Sequence, residues 1–411
     1  MPWLNKPFVM NCGYSGGVPL RRSGPKQQRT RSFCAISMRS RRHSRRLIET
    51  TSTFPDHGDS HSRRPLNRRG STAGSTRYGC PRSASPLPRI PVPMKIASVT
   101  CTRLAATPPR PVQFSIGTFS TFYAAVVEVR TDDGLVGVGE CIARRAPEVV
   151  TTIVDRLLAP LLIGRDPWDV EGLWDEMLAL LRRWGHSRGF VLEAMSGIDI
   201  ALWDLLARSV GKPLYKFLGG AGRDRVRCYV SKVYFDEIPR MAEEARRLAS
   251  QGDTAVKVQV GWPEARGGHR ADVRTVRAVR EAVGPDVEVM VDANGAYDVG
   301  TAVRVGRQLE EFNLAWLEEP VPADDLDGYA HLHRSVRVPL AAGETEFGLY
   351  GFRDLIARGC VDILQPEVAR IGGVTATRRL WALAHAHNLP VAPHTGFSGG
   401  VAHLASLHLA A

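Results

Sequence analysis

The chain has 411 residues and a formal charge of +12, enough length for two or three domains. Residues 1–93 hold sixteen Arg and two Lys against Glu49, Asp56 and Asp59, a net charge of +15 that leaves the rest at −3. No apolar run approaches the roughly 20 residues of a membrane span, so a membrane protein and, for residues 94–411, a nucleic-acid-binding one are excluded as expectations.

The basic segment 1–93 is rich in Arg, Ser, Pro and Gly and poor in long apolar side chains. Such a composition cannot form a core, which predicts disorder. Three readings stand for it. It is an organelle transit segment, a basic arm for nucleic acid, or no natural part of the protein, with translation starting at Met94. The last is favoured, because MKIASVTCTRL opens an ordinary strand after a Pro-rich break. The cysteines (Cys12, Cys34, Cys80, Cys101, Cys141, Cys228, Cys360) show no close pairs and no metal-ligand spacing. Free thiols in a reducing compartment are expected, with the cytoplasm as location.

Residues 94–221 read as an α+β domain. KIASVTCTRLA is a strand, ATPPRPVQFSIGTFS a loop, and TFYAAVVEVR and GLVGVGEC flank the hairpin signal Thr131-Asp132-Asp133-Gly134. Helical patterns follow in PEVVTTIVDRLLAPLLIG, DVEGLWDEMLALLRRW and FVLEAMSGIDIALWDLLARSVG. In the last of these, Ala194, Ser196, Gly197 and Ala201 permit close helix packing. From residue 222 to 411 strands and helices alternate. Val226–Val230, Val256–Val260, three runs ending in acids, Val361–Gln365 and Leu389–Ala392 read as seven strands, each with a helix after it. This is α/β, a (β/α) TIM-type barrel. An eighth strand is not visible, so the barrel reads as C-terminally incomplete, with two open edges.

The three runs VEVMVDAN, AWLEEP and PLAAGETE end in Asp292, Glu318 and Glu344, spaced 26 residues apart each time. That period suits one βα unit, which places the acids at equivalent points of successive units, the C-terminal rim of the barrel. Three converging carboxylates repel one another unless a cation joins them. A hard divalent ion, Mg²⁺, answers this best because it prefers carboxylate oxygens. The plainer alternative is that each acid caps the helix after its strand.

Together IDIALWDLLARSVGKPLYKFLGG, VDAN, LEEP, AAGE, QPEVARIGGVT and PVAPH resemble the mandelate racemase subgroup of the enolase superfamily. The resemblance runs in order from Met94 to the C-terminus. It implies an N-terminal α+β capping domain over a modified barrel, and Mg²⁺ held by Asp292, Glu318 and Glu344. It also implies removal of the proton α to the carboxylate of a small-molecule substrate, with the metal stabilising the ene-diolate. One base position in the family is the second Lys of a Lys-x-Lys motif. Here the motif is Lys257-Val258-Gln259, so Gln259 offers only a hydrogen bond and Lys257 a supporting charge. The other position is a His after strand seven, oriented by a carboxylate after strand six. His394 fits, with Glu367 where Asp is commoner.

A single base suits β-elimination better than racemisation, so a sugar-acid dehydratase is expected ahead of a racemase or epimerase. A non-catalytic chain, either a basic-tailed binding protein or an inactive barrel fragment, is the alternative outside enzymes. Asn294 is expected beside Lys257 or the metal, or else as a turn residue. The loop Pro108–Thr118 and Arg144-Arg145 should face the site, although surface placement suits the two arginines equally. His331, His333, His385, His387, His403 and His408 read as packing or surface residues. A homo-oligomer is expected.

Overall fold

The computed structural model describes residues 94–411 and two short strands before them, β1 (Val9–Asn11) and β2 (Arg21–Arg22). The expectations for the rest of 1–93 lie outside the described residues. Four strands make the antiparallel sheet of the capping domain in the order β2-β3-β6-β7, with β3 at Ile96–Ala106, β6 at Phe122–Thr131 and β7 at Val136–Ile142. The segment read as a loop instead folds into a small hairpin of β4 (Val112–Phe114) and β5 (Gly117–Phe119). Pro109 and Pro111 break any alternation ahead of it, which hides so short a hairpin. Its tip is fastened to the barrel, where the Ser115 hydroxyl donates to the Ala293 carbonyl at 3.1 Å.

The stretch 147–164, read as one helix, is divided. Pro147–Ile153 and Ala159–Leu162 are helical and Val154–Leu158 between them is a π-turn. Pro160 lacks an N–H and crowds the carbonyl four residues back, so the ladder widens there. The helix Phe190–Ser209 lies against β7 at the small residues picked out above. A Cβ on Gly139 of β7 would fall 1.9 Å from the Gly197 carbonyl oxygen and 2.6 Å from the Ala201 nitrogen. Both are backbone atoms that cannot yield, so Gly139→Ala should lower stability by about 3 kcal/mol through overpacking. An unchanged melting temperature would contradict this packing.

The barrel strands are β8 (Arg227–Val233), β9 (Ala255–Gln259), β10 (Glu288–Asp292), β11 (Trp316–Glu318), β12 (Leu340–Ala342) and β13 (Ile363–Leu364). They pair in parallel and in sequence order. The expected seventh strand forms only two bridges, Leu364 to Val391 and Glu367 to His394. The edge at β8, expected to stand open, carries β1, with Val9–Asn11 parallel to Arg227–Tyr229. A row of unpaired backbone groups is a template for such an addition. Tyr229, Met290 and Trp316 are buried together in a layer beneath the strand ends, and Tyr229 meets Trp316 edge-on at 5.3 Å.

Two motifs far apart in sequence bind the cap to the barrel. Asp199 accepts from the backbone N–H and hydroxyl of Thr375 at 2.9 and 2.7 Å, and Trp203 donates to the same hydroxyl at 2.8 Å. Burial holds the Asp199 carboxyl up at about 7.

Candidate active site

Strand register aligns the first polar groups. Asp292 of β10 stands opposite Gln259 of β9 and Glu318 of β11, so the three side chains end at one level. Lys257 lies two residues before Gln259 and therefore on the same face. Glu344 keeps the 26-residue spacing but departs from the strand register. Glu318 pairs with Ala341, and Glu344 follows only after the strand has ended at Ala342. Gly343, with φ +132°, makes the turn that brings it back, and a Cβ there would strike the Phe352 ring at 2.6 Å.

All three carboxylates are buried. The Lys257 ammonium bonds Asp292 at 3.0 Å and also bonds Glu318. Burial alone would lower the Lys257 pKa, but Asp292 and Glu318 hold it well above the ordinary value. Lys257 is therefore a fixed cation. Burial pushes Asp292 up to about 6 against the pull of Lys257. Glu318 also accepts from Trp316 Nε1 at 2.9 Å and Gln365 Nε2 at 2.7 Å. Neither of these partners was singled out in the sequence, since an indole and an amide carry no charge pattern.

His394 joins the carboxylates to the other side of the site. Its Nδ1 lies 3.0 Å from Glu367 Oε2 and its Nε2 2.5 Å from Glu344 Oε2. Burial works to lower the His394 pKa, but Glu344 and Glu367 raise it to about 9. Glu344 is pushed up by burial, and the His394 imidazolium outweighs this to hold it well below the carboxylate range. Arg144 of the cap reaches Glu344 at 3.4 Å, whereas Arg145 lies over the Phe119 ring. Arg370, also buried, donates to the Glu344 carbonyl at 2.9 Å and to Glu193 at 3.1 Å.

A cavity of about 590 Å³ opens above these groups. Lys257, Gln259, Asp292, Asn294, Glu344 and His394 line it. Pro108, Phe114 and Ile116 of the expected loop face it from the cap, as does Arg144 but not Arg145. Asn294 combines its two expected parts: it has φ +47°, its N–H donates to Asp292 at 3.0 Å, and it lines the cavity. His403, read as a packing residue, is also a wall residue. Its helix Gly400–Ala410 is tied to the cap by Glu140, which accepts from the Gly399 and Ala402 N–H groups. Periodicity alone could not reveal that link. Among the described residues Gln259 Oε1, Asn294 Oδ1 and Glu367 Oε1 are buried without a hydrogen-bond partner.

The donor set suits a hard divalent cation. Asp292, Glu318 and Glu344 supply oxygens only, which is what Mg²⁺ prefers, and an ammonium already sits among two of them as counter-charge. Glu318, Glu344 and His394 can also place one donor atom each within 4.8 Å of one another. A set containing the His nitrogen is the poorer match for Mg²⁺.

A parallel barrel under an α+β cap, with carboxylates at its strand ends and a His–Glu pair beside them, defines an enzyme of the enolase type. The family model for the mandelate racemase/muconate lactonizing enzyme N-terminal domain matches residues 97–219, and the enolase C-terminal domain-like model matches residues 240–411. The chain belongs to the mandelate racemase/muconate lactonizing enzyme family of the enolase superfamily. It is 36% identical over 310 residues to the D-galactarolactone cycloisomerase of Agrobacterium fabrum, covering 74% of this chain and 80% of that one. It is 34% identical over 287 residues to the arabinonate dehydratase of Saccharolobus solfataricus, covering 69% and 75%. Among solved structures, a racemase from Streptomyces coelicolor with bound magnesium superposes with a TM-score of 0.70 at 32% identity, covering 77% of this chain and 86% of that one. Among the described residues no helix is long and apolar enough to cross a membrane, and Cys101, Cys141, Cys228 and Cys360 are free thiols.

Proposed function

We propose that this chain dehydrates a sugar acid, with residues 94–221 as cap and 222–411 as barrel. Asp292, Glu318 and Glu344 hold Mg²⁺, which when bound stabilises negative charge developing on the substrate carboxylate. His394 is the base and Glu367 orients it through Nδ1, leaving Nε2 to work in the cavity. His394 Nε2 takes the proton from the α-carbon, and the electron pair of that C–H bond passes towards the substrate carboxylate. The same nitrogen then returns that proton to the departing hydroxyl, which leaves as water, and the enol product becomes a 2-keto-3-deoxy acid. A base must start neutral, so Glu344 has to leave Nε2 before the proton is taken. Gln259 Oε1 and Asn294 Oδ1, buried and unpartnered among the described residues, are suited to accept substrate hydroxyls.

The observation that carries this reading is that, of the two imidazoles lining the cavity, His394 is the one that stands beside the strand-end acids with a carboxylate on its Nδ1. Lys257 is held as an ammonium by two carboxylates, and Gln259 cannot take a proton. Likeness to relatives named as dehydratases supports it. An isomerase is the second reading, favoured by the likeness to a cycloisomerase. A panel of acid sugars incubated with the full chain and Mg²⁺ should yield a 2-keto-3-deoxy acid. In D₂O, α-hydrogen exchange should occur from one face only. Isomer formation without loss of water would replace the dehydratase reading with the second one.

A further inference from the structure

The cavity has two unlike ends. At its floor stand the site residues, and every cationic group that lines it and is described is paired with a carboxylate there, although the Arg144 guanidinium also lies 5.2 Å over the Phe397 ring. Arg144 is on Glu344, Lys257 on Asp292 and Glu318, and His394 on Glu344 and Glu367. His403 also lines it, but burial lowers its pKa, so it is neutral at pH 7.

The wall supplied by the cap and the last helix is different in kind. Its apolar members are Ala106, Pro108, Phe114, Ile116, Phe122 and Leu404, with the polar groups of Tyr123, Ser398 and His403 interspersed but no charged side chain of its own. Behind it the rings are packed solid. Phe397 lies 5.0 Å from Phe114, 4.7 Å from Phe119 and 5.3 Å from Phe122, centroid to centroid. Ile116 is 50% exposed and Leu404 58% exposed, which places aliphatic side chains where the cavity meets solvent. A second carboxylate brought against this wall would lose water and gain no cation that is not already paired, since Arg144 is held by Glu344, and this disfavours the charged form. A methyl group there loses nothing and buries apolar surface.

We propose that the site selects monocarboxylic acids with an apolar far end, such as a terminally deoxygenated aldonate, and rejects dicarboxylic aldarates. This rests on the dehydratase reading for the reacting end of the substrate, but concerns the opposite end. Binding is therefore its measure. Calorimetry on the full chain with Mg²⁺ should be run with 6-deoxy aldonates and C6 aldarates in several configurations. The tightest deoxy acid should bind at least tenfold more tightly than any aldarate. Ile116→Arg, at the hairpin tip, should cut that preference about tenfold by adding a cation at the rim. An aldarate bound as tightly as the best deoxy acid overturns the proposal, as does failure of every deoxy acid to bind. An unchanged preference in Ile116→Arg overturns the part assigned to this wall. Deoxy acids that bind tightly but never lose water leave the selectivity standing and defeat the dehydratase reading instead.

Discussion

His394→Asn should lose turnover by three orders of magnitude or more, with loss of α-hydrogen exchange and little change in substrate affinity. General acid–base groups contribute about 10²–10⁴-fold each, and here one imidazole serves both as base and as the acid that releases water. Asn keeps much of the volume and a hydrogen bond to Glu367, so the cavity should persist. The check is single-turnover kinetics in D₂O beside calorimetric binding. Gln259→Ala is the control: it removes a hydrogen bond of about 1 kcal/mol net, roughly fivefold. If His394→Asn still exchanged the α-hydrogen, the base would have to be sought elsewhere, and Lys257 would be the first place to look.

The second large effect concerns the metal. Glu344→Gln should weaken Mg²⁺ binding by at least about 100-fold, since even residues that only orient a metal ligand cost 10–100-fold when removed. The substitution keeps the shape of the side chain but removes the charge that Arg144 and His394 face. Calorimetric titration with Mg²⁺ measures the loss, and a melting curve should show the fold intact. Unchanged Mg²⁺ affinity would remove Glu344 from the ligand set. The related variant Asp292→Asn separates the two possible donor groupings. It should weaken Mg²⁺ binding as well if the three strand-end acids act together, and should not if Glu318, Glu344 and His394 form the site.

Parts of this architecture were legible because they are local or periodic. The 26-residue spacing of Asp292, Glu318 and Glu344 follows from the length of a βα unit, and Asp292 and Glu318 do stand in register. The small residues of the helix Phe190–Ser209 announced a close approach, and Gly139 against Gly197 is that approach. Short, irregular pieces were not legible. The hairpin Val112–Phe119 follows three prolines, and the π-turn Val154–Leu158 depends on one residue, Pro160.

From residue order alone come the parallel α/β architecture, the family, the acidic strand ends and the absence of a Lys at position 259. These are carried by spacing, hydrophobic period and residue type, which need no knowledge of what lies across the fold. Long-range contacts supply the rest. Lys257 becomes a fixed cation only because Asp292 and Glu318 close on it, and Glu344 re-enters the site only through the turn at Gly343. Arg144 and Arg145 are neighbours of one type, yet one lines the cavity and the other covers a Phe ring. A site assembled from partners 27 to 200 residues apart takes its charge states and its walls from packing, and packing is a property of the folded chain.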